Sequence, residues 1–106
     1  MSTSNDFINY VMDSLSLLPG ISAKKMFGEY AFYYKDKVVA LICDNQFFLK
    51  PTVGAKNLLG NPLMAPPYKG AKDYFLVEDI EDSQFMIDLI TVTYKELPEP
   101  KNKRQK

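Results

Sequence analysis

The chain has 106 residues with no formal net charge, 46% hydrophobic and 25% charged residues, which suits one soluble globular domain able to bury its own core. It contains no histidine and one cysteine, Cys43, so an internal disulfide and a Ser-His or Cys-His nucleophilic pair are both excluded within one chain. The commonest zinc ligand and the usual general base are missing together.

The sequence opens on an amphipathic helix over residues 5 to 18. Phe7, Ile8, Val11, Met12, Leu15 and Leu18 recur at helical spacing and gather on one stripe. Ser4 or Asn5 can cap it, Asp6 complements the helix dipole, and Pro19-Gly20 stops it. Its polar side carries no Lys or Arg, unlike a lipid-binding helix, so it reads as a core layer. No signal-like segment precedes it and no apolar run approaches a membrane span, so a cytoplasmic protein without membrane attachment is expected.

Residues 24 to 50 read as a three-stranded meander, rich in aromatic and β-branched residues, with tight turns at Lys35-Asp36 and Asp44-Asn45. Alternation puts Met26, Gly28, Tyr30, Phe32 and Tyr34 on one face of the first strand, and Phe27, Glu29, Ala31 and Tyr33 on the other. In the second strand Val38, Ala40 and Ile42 alternate with Val39, Leu41 and Cys43. Neither of its faces is polar, which predicts a central strand. Gly28 inside the first strand marks a bulge, with a close backbone approach as the alternative.

Pro51-Thr52 ends the third strand and opens a helix of about two turns, with Thr52 as the cap and Gly60-Asn61-Pro62 as the stop. Leu63 to Gly70 reads as an irregular, proline-bearing loop, and Lys72 to Val77 as a strand with Tyr74 and Leu76 opposite Phe75 and Val77. The last helix is predicted from Ser83 to about Leu97, capped by Asp82, with Met86, Leu89, Ile90, Thr93 and Leu97 as its core stripe. Residues 98 to 106 lack aromatic and β-branched residues and should form a disordered basic tail after a domain of residues 1 to 97. The expected class is α+β: a two-layer structure with helices on one face of an antiparallel sheet, in the order α-β-β-β-α-β-α.

Charge is segregated along the chain. Residues 24 to 72 hold eight lysines against Glu29, Asp36 and Asp44, whereas residues 78 to 96 hold six acids against Lys95. Such separation can steer an anionic partner or pair two copies of the chain, although solvated surface charge accounts for most of it. Cys43 ends an apolar strand and reads as a buried, inert thiol. The five glycines are too scattered for a phosphate loop, and no acidic run has calcium-loop spacing. No catalytic residue, metal site or cofactor is expected.

The run Lys25-Met26-Phe27-Gly28-Glu29-Tyr30, the apolar strand Val38 to Cys43 and the ending Phe47-Phe48-Leu49-Lys50 resemble the N-terminal domain of the TfoX/Sxy regulators of bacterial competence. Pro67-Tyr68-Lys69-Gly70 and Tyr74 to Val77 are similar to the later loop and strand of that family. The chain departs at Glu29, where the family has a second glycine, and a stand-alone module without the family's C-terminal helical domain is expected. The resemblance implies a non-enzymatic module in transcriptional regulation, acting with a protein partner such as the cyclic-AMP receptor protein, or pairing as a homodimer. The candidate contact residues are Lys25, Phe27, Gly28, Glu29, Tyr30, Tyr68 and Lys69. The alternative is direct nucleic-acid binding through Lys24, Lys50, Lys101, Lys103 and Arg104, by phosphate contacts and stacking on sheet aromatics.

Overall fold

A computed structural model describes residues 4 to 26 and 29 to 98. Its first helix, α1 (Asn5–Ser14), starts where Ser4 accepts a hydrogen bond from the Phe7 N–H at 3.2 Å. The helix stops four residues short of the predicted end, and Leu15 to Leu18 continue in turns whose N–H groups bond back three residues. Leu15 is nonetheless buried with Ile8 and Val11, so the apolar stripe outlasts the regular helix.

The sheet has six antiparallel strands in the order β1-β2-β3-β4-β6-β5: β1 (Ile21–Met26), β2 (Glu29–Tyr34), β3 (Lys37–Cys43), β4 (Gln46–Leu49), β5 (Leu63–Ala65) and β6 (Tyr74–Val77). The predicted first strand is two strands. Ile21 to Met26 pairs with Glu29 to Tyr34, Met26 standing opposite Glu29, so the chain doubles back there. The bulge expected at Gly28 lies outside the described residues. The register instead shifts in the β2–β3 pair: Phe32 faces Ala40 and Tyr33 faces Val38, leaving Val39 without a partner. Val39 is fully buried in the main core, and its carbonyl accepts the Lys50 N–H at 2.9 Å. The shift therefore corrects the predicted alternation, because Val39 and Ala40 both contribute to the core while Val38 changes sides.

A further strand, β5, lies within the segment read as irregular, and it pairs with β6 through Leu63–Leu76, Met64–Phe75 and Ala65–Tyr74. At the β3–β4 turn, Asp44 and Asn45 both have positive φ, 52° and 60°, as a type I′ hairpin requires. That conformation suits Asn and Asp, the residue types present.

Three helices lie on one face of the sheet. Besides α1 these are α2 (Val53–Leu59) and α3 (Ser83–Glu96), with Thr52 accepting from the Ala55 N–H and Asp82 from the Phe85 N–H. Phe32, Ile42, Phe47, Leu49, Phe75 and Val77 project from the sheet into a cluster with Ile8, Val11, Ala55, Met86, Leu89 and Ile90. Each such large side chain contributes about 2 kcal/mol by leaving water. No helix among the described residues is long and apolar enough to cross a membrane.

Polar contacts fix the helices to the sheet. Ser14 Oγ donates to the Ile80 carbonyl, tying α1 to the segment before α3. Glu96 accepts the Gly54 N–H at 3.0 Å, holding the start of α2 against the end of α3.

Candidate interaction surface

The pairing register sorts every strand residue to one of two faces. Antiparallel partners share a side of the sheet, so the row Lys24–Ala31–Leu41–Phe48–Leu76–Leu63 runs across all six strands on the face away from the helices. Tyr33 with Val38, Cys43 with Gln46, and Ala65 with Tyr74 lie on the same side. Ala31, Cys43 and Phe48 are buried, yet none belongs to the cluster that the helices build. Around them Tyr33, Val38, Leu41, Tyr74 and Leu76 are half-buried, and Leu63 is 55% exposed. This second face is thus an apolar surface with small and aromatic side chains at its centre.

The groups on it are shaped by desolvation. Burial pushes the Cys43 thiol up to about 11, with the negative charges of Glu29 and Asp44 adding to the shift. The thiol is therefore protonated and unreactive at neutral pH, as the sequence suggested. Burial also raises the Tyr74 phenol, helped by its neighbours Tyr68 and Cys43. Lys50, just past the end of β4, is half-buried and its ammonium is held below the usual lysine range by the same cause.

The residues proposed from the sequence do not converge. Lys25, exposed, stands opposite Tyr30 at the β1–β2 side of the sheet. Tyr30 packs against the core, and its hydroxyl donates to Asn5 Oδ1 at 3.2 Å. Glu29 accepts the Asp44 N–H at 3.1 Å, and Asn45 accepts the Ser4 N–H at 2.9 Å, so this corner ties β2, the β3–β4 turn and the start of α1 together. Tyr68 and Lys69, both exposed, lie in the connection between β5 and β6, at the opposite strand ends and the other side of the sheet. Phe27, Gly28, Lys101, Lys103 and Arg104 lie outside the described residues. Lys24 is exposed on the second face.

Tyr34 is buried on the helix side, edge-to-face with the Tyr94 ring at 5.0 Å. Tyr33 and Tyr74 are the tyrosines of the second face. The sequence carried a signal for this surface, namely apolar residues on both sides of β3 and the Tyr74–Leu76 alternation. Assigning the sides required the register. Among the described residues no group of three or more His, Cys, Asp or Glu could hold a metal ion.

Comparison with known proteins adds two findings. The family model of the TfoX N-terminal domain matches residues 13–97. The chain is also 38% identical over 107 aligned positions to an uncharacterized 12.7 kDa protein in the trpE 5′ region of Spirochaeta aurantia, spanning 100% of this chain and 93% of that protein.

Proposed function

The chain belongs to the TfoX N-terminal domain family, and from that footing we propose that it is a non-enzymatic interaction module acting in transcriptional regulation, as in the control of competence genes. The observation that carries this reading is the second sheet face. Half-buried Tyr33, Leu41, Tyr74 and Leu76 surround buried Phe48 in a broad apolar patch of the kind that marks a protein docking surface. The lack of histidine in the whole sequence supports a non-enzymatic role. The partner would be a transcription factor such as the cyclic-AMP receptor protein, and a second copy of the chain is its competitor for the same face.

The test is anisotropy of the labelled full chain titrated with purified cyclic-AMP receptor protein, alongside sedimentation of the chain alone. Saturable binding should weaken at least about tenfold in Leu41→Asp, a loss of about 1.4 kcal/mol or more, with the unfolding midpoint little changed. No binding would reject this partner. Undiminished binding by Leu41→Asp would reject the face.

A second reading, direct nucleic-acid binding, is favoured by the presence of Lys24 on the face that carries Tyr33 and Tyr74. Stacked bases and neutralised phosphates would use those residue types. Each lysine contacting a phosphate steepens the salt dependence of single-strand binding by about 0.7 in log–log slope. Lys24→Glu should reduce the slope if this reading holds, and binding that ignores salt would reject it.

A further inference from the structure

A cleft of about 210 Å³ opens at one end of the sheet, where α1 meets the ends of β4 and β6, with Gln46 and Leu76 of the second face also in its lining. Phe7, Tyr10, Phe47 and Val77 give it apolar walls, and Asn45 and Glu78 give it polar ones. The Phe7 and Tyr10 rings stand 6.3 Å apart and tilted by 53°, forming an open aromatic corner. Tyr10 is 43% exposed, and its hydroxyl donates to the Glu81 carboxylate at 3.2 Å.

The charge around this cleft has one sign. Glu78 is the charged residue of its lining, Glu81 accepts the Tyr10 hydroxyl, and Asp44 and Asp79 adjoin lining residues in sequence. The fold brings acids from the β3–β4 turn and from the segment before α3 to the corner beside α1, and no Lys or Arg lines the cleft. A surface with aromatic faces, aliphatic walls and unopposed carboxylates is complementary to a cation on an aliphatic stem. Nucleic acid would be repelled there.

We propose that this cleft docks a basic peptide segment of a protein partner, taking a lysine or arginine side chain against the Phe7–Tyr10 ring pair with its charge toward Glu78. The proposal rests on the interaction-module reading and names the chemistry of a partner, but it uses the cleft beside α1, which borders the second face at Leu76 and does not include Leu41. The aliphatic stem lies on Phe47 and Val77, and the surrounding acids raise the local concentration of basic segments by long-range attraction. A docked peptide would therefore be sensitive to both salt and aromatic truncation, which distinguishes it from diffuse charge attraction.

The experiment uses the full chain and a fluorescein-labelled Leu-Lys-Gly-Leu-Lys-Gly peptide, with Leu-Glu-Gly-Leu-Glu-Gly and duplex DNA as controls, all followed by anisotropy. The basic peptide should bind and the two controls should not. Glu78→Lys and Tyr10→Ala should each weaken binding at least about tenfold, whereas Lys24→Glu should leave it unchanged. Both altered residues are exposed, and circular dichroism checks that the variants remain folded. Leu41→Asp, which disables the second face, should retain peptide binding, so the two readings fail separately. Equal binding of basic and acidic peptides, or a Glu78→Lys variant that binds as well as the parent, would overturn the proposal. So would self-association of the chain abolished by Glu78→Lys, since the occupant would then be a second copy.

Discussion

The Lys37 ammonium donates a 2.7 Å hydrogen bond to the Leu97 carbonyl, sixty residues away in sequence. It also donates to the Tyr94 carbonyl at 3.0 Å and stands 4.3 Å from the centroid of the Tyr94 ring. The first residue of β3 thus closes the end of α3, where carbonyl oxygens are left without intrahelical donors and the helix dipole favours a cation. Tyr94 returns the contact by donating from its hydroxyl to Asp36 at 3.1 Å.

Lys37→Met keeps most of the aliphatic stem but removes the charge and both donors. Because Lys37 is buried, the two carbonyls lose a partner that solvent replaces only in part. The expected cost is about 2–3 kcal/mol, measured as a lower urea midpoint. A midpoint within experimental scatter of the parent would mean that water satisfies the helix end unaided.

Gly54 occupies the close crossing of α2 and α3. A Cβ at that position would collide with Val92 Cγ2 and Glu96 Oε2. Alanine is favoured over glycine in a helix by about 1 kcal/mol, but overpacking typically costs about 1–3 kcal/mol. Gly54→Ala should therefore destabilise the fold, and adding Val92→Ala should recover part of the loss. Simple stabilisation by Gly54→Ala would show that the two helices separate freely.

Thr93 is fully buried on α3, and its hydroxyl has no hydrogen-bond partner among the described residues. Valine has nearly the same shape without the hydroxyl. Thr93→Val should raise stability by about 1 kcal/mol in chemical denaturation, since an unsatisfied buried polar group is costly. A clear destabilisation would reveal a partner for the hydroxyl, such as an internal water.

Cys43 makes an alkaline prediction. Its thiol is pushed from the usual value of 9.0 up to about 11. Between those values the folded chain keeps a proton that the unfolded chain has released, so stability falls as pH rises through that window and is fully present below it. Tyr74, also raised by burial, acts in the same direction, while the lowered Lys50 opposes it. Urea midpoints measured across the window should fall less steeply in Cys43→Ala than in the parent. Identical slopes would show that the thiol does not contribute. Thiol-directed alkylation of the native chain should be correspondingly slow at neutral pH.

Much of the local structure was legible from residue types alone. Ser4, Thr52 and Asp82 cap the three helices because short oxygen-bearing side chains can meet N–H groups that the first turn leaves free. Asp44-Asn45 announced its hairpin, since these two types tolerate positive φ. The core stripe of α3 followed from its spacing, and Met86, Leu89, Ile90 and Thr93 are buried as read. The α+β class followed from the sequence of elements.

The second face and the acidic cleft were not legible, because both depend on which distant residues become neighbours. One unpaired residue, Val39, moves Val38 from the side of Ala40 and Ile42 to the side of Tyr33, and no composition or spacing signal marked it. Reading Lys24 to Tyr34 as one strand, rather than as parts of β1 and β2, likewise hid the pairing that places Lys24 beside Ala31. The acids of α1, the β3–β4 turn and the stretch before α3 were visible as separate runs. Only packing against one sheet end brings Glu78 beside Phe7 and Tyr10. Sequence by itself determined the caps, turns and apolar stripes, because these arise from interactions within a few residues. Tertiary structure alone decided the register, the two faces and the meeting of distant charges, because those energies exist only between segments brought together by folding.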